Sequence, residues 1–122
     1  MTKTKQQVLD GVGRFNKTTP IGQIYHTMYS RPAYLEALEQ WEKIAREAAV
    51  SRADLAYRWV KYNSPLKAEY GDALIVGARN LEQLKQTLEG ANAGPLPADV
   101  VDKIDVVWNT IKHEAPLDNY HK

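Results

Sequence analysis

Cysteine is missing altogether from the 122 residues, which excludes disulfides, thiolate nucleophiles and cysteine-held metals together. An excess of charge of either sign is missing too: 16 Lys and Arg face 15 Asp and Glu, a formal net charge of +1. Such a balance creates no strong field for nucleic acid or anionic membrane. Long apolar runs are absent as well. None approaches the length of a membrane span, and no apolar core of a signal peptide follows Met1-Thr2-Lys3-Thr4-Lys5. The chain therefore reads as soluble and cytoplasmic, with no nucleic acid and no membrane as partner. Neither an internal repeat nor a low-complexity tract occurs. The length suits one domain and is too short for two. With 43% hydrophobic and 25% charged residues, the composition is that of an ordinary globular protein.

The stretch with the most to say runs from Asp72 to Leu88. Its apolar core, Ala73-Leu74-Ile75-Val76, lies between Gly71-Asp72 and Gly77 and shows no polar alternation. Both faces of such a run want burial, which is how a strand of a covered parallel sheet reads. Asn80 then stands where a helix cap belongs, with Gln83 three residues on, the spacing of a capping box. Leu81, Leu84 and Leu88 recur at helical spacing and predict its buried face. The unit is strand, glycine turn, helix N-terminus, with Arg79 in the turn. A helix N-terminus offers unpaired N–H groups and the positive end of a dipole, so it favours an anion, above all phosphate. Gly77 would let a ligand approach the backbone closely, and Arg79 could add a forked, permanently charged partner. In parallel α/β folds ligands sit at the carboxyl ends of strands, where this turn falls. Most such turns nevertheless bind nothing.

Elsewhere the chain reads as helices and loops. Residues 1–31 are punctuated by Gly11, Gly13, Pro20 and Gly22 and are predicted as an extended surface loop, partly packed through Phe15, Tyr25 and Tyr29. Pro32 suits the first turn of a helix, whose stripe is Leu35, Leu38, Trp41, Ile44, Ala45 and Ala48. Ser51 caps a second helix, with Asp54 at the box position. Leu55, Ala56, Trp59 and Val60 form its buried side, and Asn63-Ser64-Pro65 ends it. A last helix begins at Pro97, with Val101, Ile104, Val107, Trp108 and Ile111 as its stripe, before a tail from Ala115 to Lys122. Trp41 and Trp59 at helical spacing are read as core.

Catalytic chemistry is hard to find. His26, His113 and His121 lack the spacing of a metal site, and the carboxylates fall on solvent faces or in first turns, where they compensate helix dipoles. Ala33–Asn63 has the outline of a helix-turn-helix, but near-neutral charge and the glutamates of its first helix count against DNA. No catalytic residue and no metal ligand is assigned. One physical difficulty stands out. Four amphipathic helices accompany a single strand, and a lone strand leaves N–H and C=O groups unpaired along both edges. Either Ala73–Val76 is not a strand, or its neighbours belong to another polypeptide or to a missing part of this one.

The order of motifs offers a way out. GRF near the start, Tyr25 in the long loop, W-x-x-I-A-R-E-A, S-R-A-D-L-A-Y-R-W-V, G-D-A-L-I-V-G-A, L-E-Q-L-K-Q-T-L and G-P-L-P together resemble the aldo-keto reductases. Among these, the aflatoxin-aldehyde reductase branch and its fungal relatives look most similar. The resemblance runs from about Gly13 to about Pro116. It implies an α/β fold, a (β/α)8 TIM barrel that binds NADPH and reduces aldehydes or ketones by hydride transfer. A barrel of this kind typically takes about 250 residues, so residues 1–122 would be a partial NADP-dependent oxidoreductase domain. That domain would be the C-terminal fragment of a barrel, mostly helical, with Ala73–Val76 as strand eight. Residues 1–31 would be a substrate-side loop, and 32–122 the last helices, strand eight and the C-terminal helix. The family's catalytic aspartate, tyrosine, lysine and histidine have no counterpart here. In the family the turn and first helical residues after strand eight hold the 2′-phosphate and adenine of NADPH. On that pattern Gly77, Ala78 and Arg79 match the turn, and Gln83 and Gln86 match polar positions on the adenine side. Thr87 stands where relatives usually have asparagine, keeping a hydroxyl but not the paired amide donor and acceptor. His26 and Met28 replace the basic residues that suit acidic substrates. The implied partners are NADP(H) and either a complementing barrel fragment or a second copy of the chain.

Overall fold

A computed structural model describes residues 3–115; most of the expected tail, and His121 with it, lies outside the described residues. In order, the helices are α1 (Lys5–Leu9), α2 (Pro20–Tyr29), α3 (Pro32–Glu47), α4 (Arg52–Tyr62), α5 (Leu81–Ala91) and α6 (Ala98–Ile111), with short 3-10 turns at Gly13–Phe15 and Ala68–Tyr70. The chain divides into two compact units, one of residues 1–44 and 103–122, the other of residues 45–102. No described helix is long and apolar enough to cross a membrane.

In the first unit the expected loop over residues 1–31 is corrected: most of it is helical. Thr4 caps α1 through a full capping box, its hydroxyl accepting from the Gln7 N–H at 3.2 Å while Gln7 Oε1 accepts from the Thr4 N–H at 3.1 Å. Thr19 caps α2 by accepting from the Gly22 N–H at 3.1 Å, and Pro20 follows at the first helical position, where its missing N–H costs nothing. The Gly13–Phe15 turn packs against α2. Phe15 sets its ring edge-on to Tyr25 and to His26, each with centroids 5.7 Å apart. Val8, Leu35, Ala37, Ile44, Ile104 and Val107 are buried. Trp108, placed by its spacing on the buried stripe of α6, is instead 52% exposed. Beyond α6 the Glu114 carbonyl accepts from Arg31 Nη1 at 3.0 Å and from the Tyr34 hydroxyl at 2.7 Å.

The second unit is built on α4 and α5, which pack together. Ser51 caps α4 as its position predicts, accepting from the Asp54 N–H at 3.0 Å. Between α3 and α4 the chain turns through Ala49 at φ 53°, with Val50 N–H bonded to Ala45 O and Ala49 N–H to Arg46 O. This is the Schellman arrangement, with alanine at the left-handed position that glycine usually takes. The predicted burial of Leu81 and Leu88 is also corrected, since they are 80% and 45% exposed; the buried residues of α5 are Thr87 and Ala91.

The largest correction concerns Ala73–Val76. No strand forms there, nor anywhere among the described residues. Residues 73–78 run as irregular chain, and their backbone N–H and C=O groups have no partner among the described residues. Ile75 is 94% and Leu74 37% exposed. The physical reason is that a strand exists only against an edge, and helices offer none. The described chain is therefore mostly helical, without the α/β sheet.

Close packing of α4 on α5 makes a testable demand. A Cβ on Gly90 would intrude on Asp54 Oδ1, 2.5 Å from its Cγ and 3.3 Å from its Cβ. Alanine in mid-helix normally gains about 1 kcal/mol over glycine, but forced overpacking costs roughly 1–3 kcal/mol. Gly90→Ala is expected to destabilise the chain in urea unfolding. In an Asp54→Ala background the same change is expected to stabilise it, a coupling that a double-mutant cycle isolates.

Candidate functional site

The turn into α5 brings the predicted anion-binding residues together. Gly77, Ala78 and Arg79 are consecutive and exposed. Gly77 has no positive φ, and nothing stands within 4 Å of where its Cβ would be. Neither backbone conformation nor packing among the described residues thus demands glycine there; the position is simply open. The Arg79 guanidinium has no partner among the described residues. At the helix start, Asn80 adopts extended backbone and its Oδ1 accepts from the Gln83 N–H at 2.8 Å. The N–H groups of Leu81 and Glu82 have no described acceptor, so two donors at the positive end of the α5 dipole stay open.

Other predicted members are engaged or turned away. Gln83 Oε1 accepts from the Arg79 N–H at 2.9 Å, one residue earlier than a capping box with Asn80 requires. This bond braces the turn against the helix and occupies the acceptor of the Gln83 amide. Gln86, exposed, donates from Nε2 to Glu82 Oε1 at 3.0 Å. Thr87 is only 8% exposed, on the buried side of α5 with Ala91. Gly77, Ala78, Arg79 and the first turn of α5 therefore form one open stretch, and Thr87 lies apart from it. Glu82 places a carboxylate in that first turn, which competes with any anion for the helix dipole.

The far end of α5 is held by two groups outside the predicted site. Arg58 donates from Nε to Gly94 O at 2.7 Å and from Nη2 to Pro95 O at 2.8 Å. Lys61 Nζ donates to Asn92 Oδ1. Two cations of α4 thus fix the loop that follows α5, and the signal was their position one helical turn apart amid an apolar stripe. Among the described residues no group of three or more His, Asp or Glu is placed to hold a metal ion.

Comparison with known proteins bears on this geometry. Residues 2–109 match the aldo/keto reductase family. A human aldo-keto reductase family 7 member A3 is 36% identical over 115 residues, covering 91% of this chain and 34% of that protein. Aflatoxin B1 aldehyde reductase member 4 of Homo sapiens is 36% identical over 121 residues, 93% of this chain and 36% of its own length. Oxidoreductase sirO of Leptosphaeria maculans is 32% identical over 104 residues, 85% of this chain and 32% of its own. The chain spans about a third of the length of these curated relatives. It belongs to the aldo/keto reductase family, whose fold is a TIM barrel and whose oxidoreductases generally use NADP(H).

Proposed function

We propose that these 122 residues supply the cofactor-phosphate end of an NADP-dependent aldo-keto reductase barrel and not its reacting groups. The observation that carries this reading is the turn before α5, in a chain matched to the family over residues 2–109. An exposed arginine without a partner, an open glycine and two free helix N–H groups fit a phosphate monoester. On this reading Arg79 and the Leu81 and Glu82 N–H groups hold the 2′-phosphate, with Gly77 and Ala78 leaving it room. Gln83 positions Arg79 through its backbone, Gln86 lies on the adenine side, and Thr87 contributes by packing. NADPH supplies the hydride when bound. No residue of this chain is assigned to the proton transfer that reduction of a carbonyl also needs. Ala73–Val76 becomes strand eight only when neighbouring barrel strands pair with it, and the unpaired backbone of residues 73–78 supports that role as a complementing fragment.

Titration of the purified chain with NADPH and NADH tests the reading. NADPH is expected to bind more tightly, and Arg79→Ala to erase the preference. A hydrogen bond to a charged group is worth about 1.5–3 kcal/mol, roughly 10- to 100-fold in affinity. Equal affinity for both nucleotides, or a preference that survives Arg79→Ala, rejects the phosphate site. Steady reduction of an aldehyde by the chain alone at about 1 per second or faster rejects the view that it lacks the reacting groups.

A further inference from the structure

We propose that Arg58 on α4 is a positioning residue for the turn at the opposite end of α5, which it aims by gripping the loop that follows the helix. The inference rests on the reading of that turn as the 2′-phosphate site. Arg58 is half-buried and directs its fork at two successive carbonyls, from Nε to Gly94 O at 2.7 Å and from Nη2 to Pro95 O at 2.8 Å. Gly94 bends the loop at φ 93°, a left-handed conformation that glycine takes without strain. Leu96, two residues on, is buried. Lys61, also on α4, donates to Asn92 Oδ1 at the C-cap of α5. Three bonds from one helix thus anchor the end of another. All of these residues lie within the unit of residues 45–102, so the grip is complete in this chain.

Leverage connects the two ends. At Gly90 the helix lies hard against Asp54 of α4, with 2.5 Å between Asp54 Cγ and the place of an added Cβ. That contact acts as a fulcrum. From Gly90 to Leu81 the axis runs about 13 Å, whereas Asn92 lies only about 3 Å beyond it. A shift of about 1 Å at the gripped end therefore becomes about 4 Å at the turn. The bonds at the turn do not oppose such a swing. Arg79 N–H to Gln83 Oε1 and Gln83 N–H to Asn80 Oδ1 fix the turn on α5, not α5 on α4. Charge-assisted contacts to a phosphate are short and directional, and in enzyme sites a misplacement of about 1 Å can cost about a hundredfold in rate. The grip of Arg58 is thus read out as discrimination for the 2′-phosphate. Contacts common to NADPH and NADH cancel in the ratio of their affinities.

Two measurements test this, one with nucleotide and one without. Arg58→Met keeps an apolar stem and removes the fork; it is expected to lower the ratio of NADPH to NADH affinity at least about threefold. Arg58→Lys retains the charge but not the fork and should lose nearly as much. Asn92→Ala cuts the Lys61 bond at an exposed residue and should move the ratio the same way. Ala45→Gly weakens α3 within the same unit and should lower stability while leaving the ratio unchanged. Because the chain has no cysteine, spin labels at Asn63→Cys and Leu81→Cys, both exposed, report the distance from the end of α4 to the start of α5 without nucleotide. Arg58→Met is expected to shift or broaden that distance by about 2 Å or more. Given a wild-type preference for NADPH, a ratio unmoved in Arg58→Met, an Arg58→Lys chain that behaves as wild type, or an equal loss in Ala45→Gly would each overturn the proposal. An unchanged label distance overturns it as well. A wild-type chain without that preference rejects the phosphate site instead, and the label distance alone then decides whether Arg58 aims the turn.

Discussion

Replacing Gly22 with alanine is expected to lower the stability of the chain by about 2 kcal/mol or more, against the usual direction for a helical glycine. At an open helix position alanine would gain about 1 kcal/mol. Gly22 is not open. It is buried in the first turn of α2, and a Cβ there would intrude on Asn16 O, 2.5 Å from Asn16 C and 2.9 Å from Thr19 Oγ1. The obstacle is backbone, and it cannot swing aside. Asn16 O accepts from the Thr19 N–H at 3.1 Å and from the Thr19 hydroxyl at 2.9 Å, while Asn16 Oδ1 accepts from the Thr18 N–H at 3.0 Å. Making room would loosen these bonds and with them the Thr19 cap of α2, itself worth about 1 kcal/mol. The edge-on contacts of Phe15 with Tyr25 and His26 depend on the same close approach. Thermal unfolding followed by circular dichroism measures the loss, and amide exchange over residues 16–30 shows where it falls. A stabilised Gly22→Ala chain would mean that the Gly13–Phe15 turn does not pack on α2. No side-chain truncation at Asn16 can rescue the variant, in contrast to Gly90, where trimming Asp54 to alanine leaves only its Cβ, at 3.3 Å.

Gly22 also shows why the N-terminal quarter of the fold was harder to read than the rest. A proline one residue and a glycine three residues after a threonine suggest a loop, yet each has a helical reason: Thr19 caps, Pro20 starts, and Gly22 admits a carbonyl. Thr4 and Gln7 likewise carry a full capping-box signature that a five-residue helix barely uses. Where helix ends rest on one local residue they were legible: Pro32 opens α3, Ser51 caps α4, Asn63 follows its end, Asn80 caps α5 and Pro97 precedes α6. The strand was not legible in this way, because pairing is a property of two segments. The wish of Ala73–Val76 for burial can be read from four side chains, but whether anything covers them cannot. At the candidate site the order of Gly77, Arg79 and Asn80 located the open helix N-terminus. The rotation of α5 about its axis was missed, since Leu84, Thr87 and Ala91 share the helical spacing that the leucines suggested for themselves. A threonine in an apolar role gives no sign of it in a single sequence.

Leu55→Ala is the second large expected effect, and it tests that rotation as well as the core. Among the described residues Leu55 is the one large side chain with no exposure, at 0%, on the helix that packs against α5. Ala45, Ala91, Leu96 and Val100 are buried in the same unit, and small residues among them leave few long side chains to collapse into a vacated volume. Truncation of a leucine so placed costs about 2–5 kcal/mol through lost transfer energy and the cavity left behind. Against a total stability of about 5–15 kcal/mol, that is enough to populate the unfolded chain in mild urea. Leu55→Met, which nearly conserves volume, should cost less than about 1.5 kcal/mol. Leu81→Ala supplies the contrast. At 80% exposure its effect should stay within about 0.5 kcal/mol, although its sequence spacing predicts a buried face. Urea unfolding of the three variants decides between the two orientations of α5: an alanine at 81 as damaging as one at 55 would turn the leucine stripe inward. That orientation would make Thr87 the exposed member and bring its hydroxyl round to the side of Arg79.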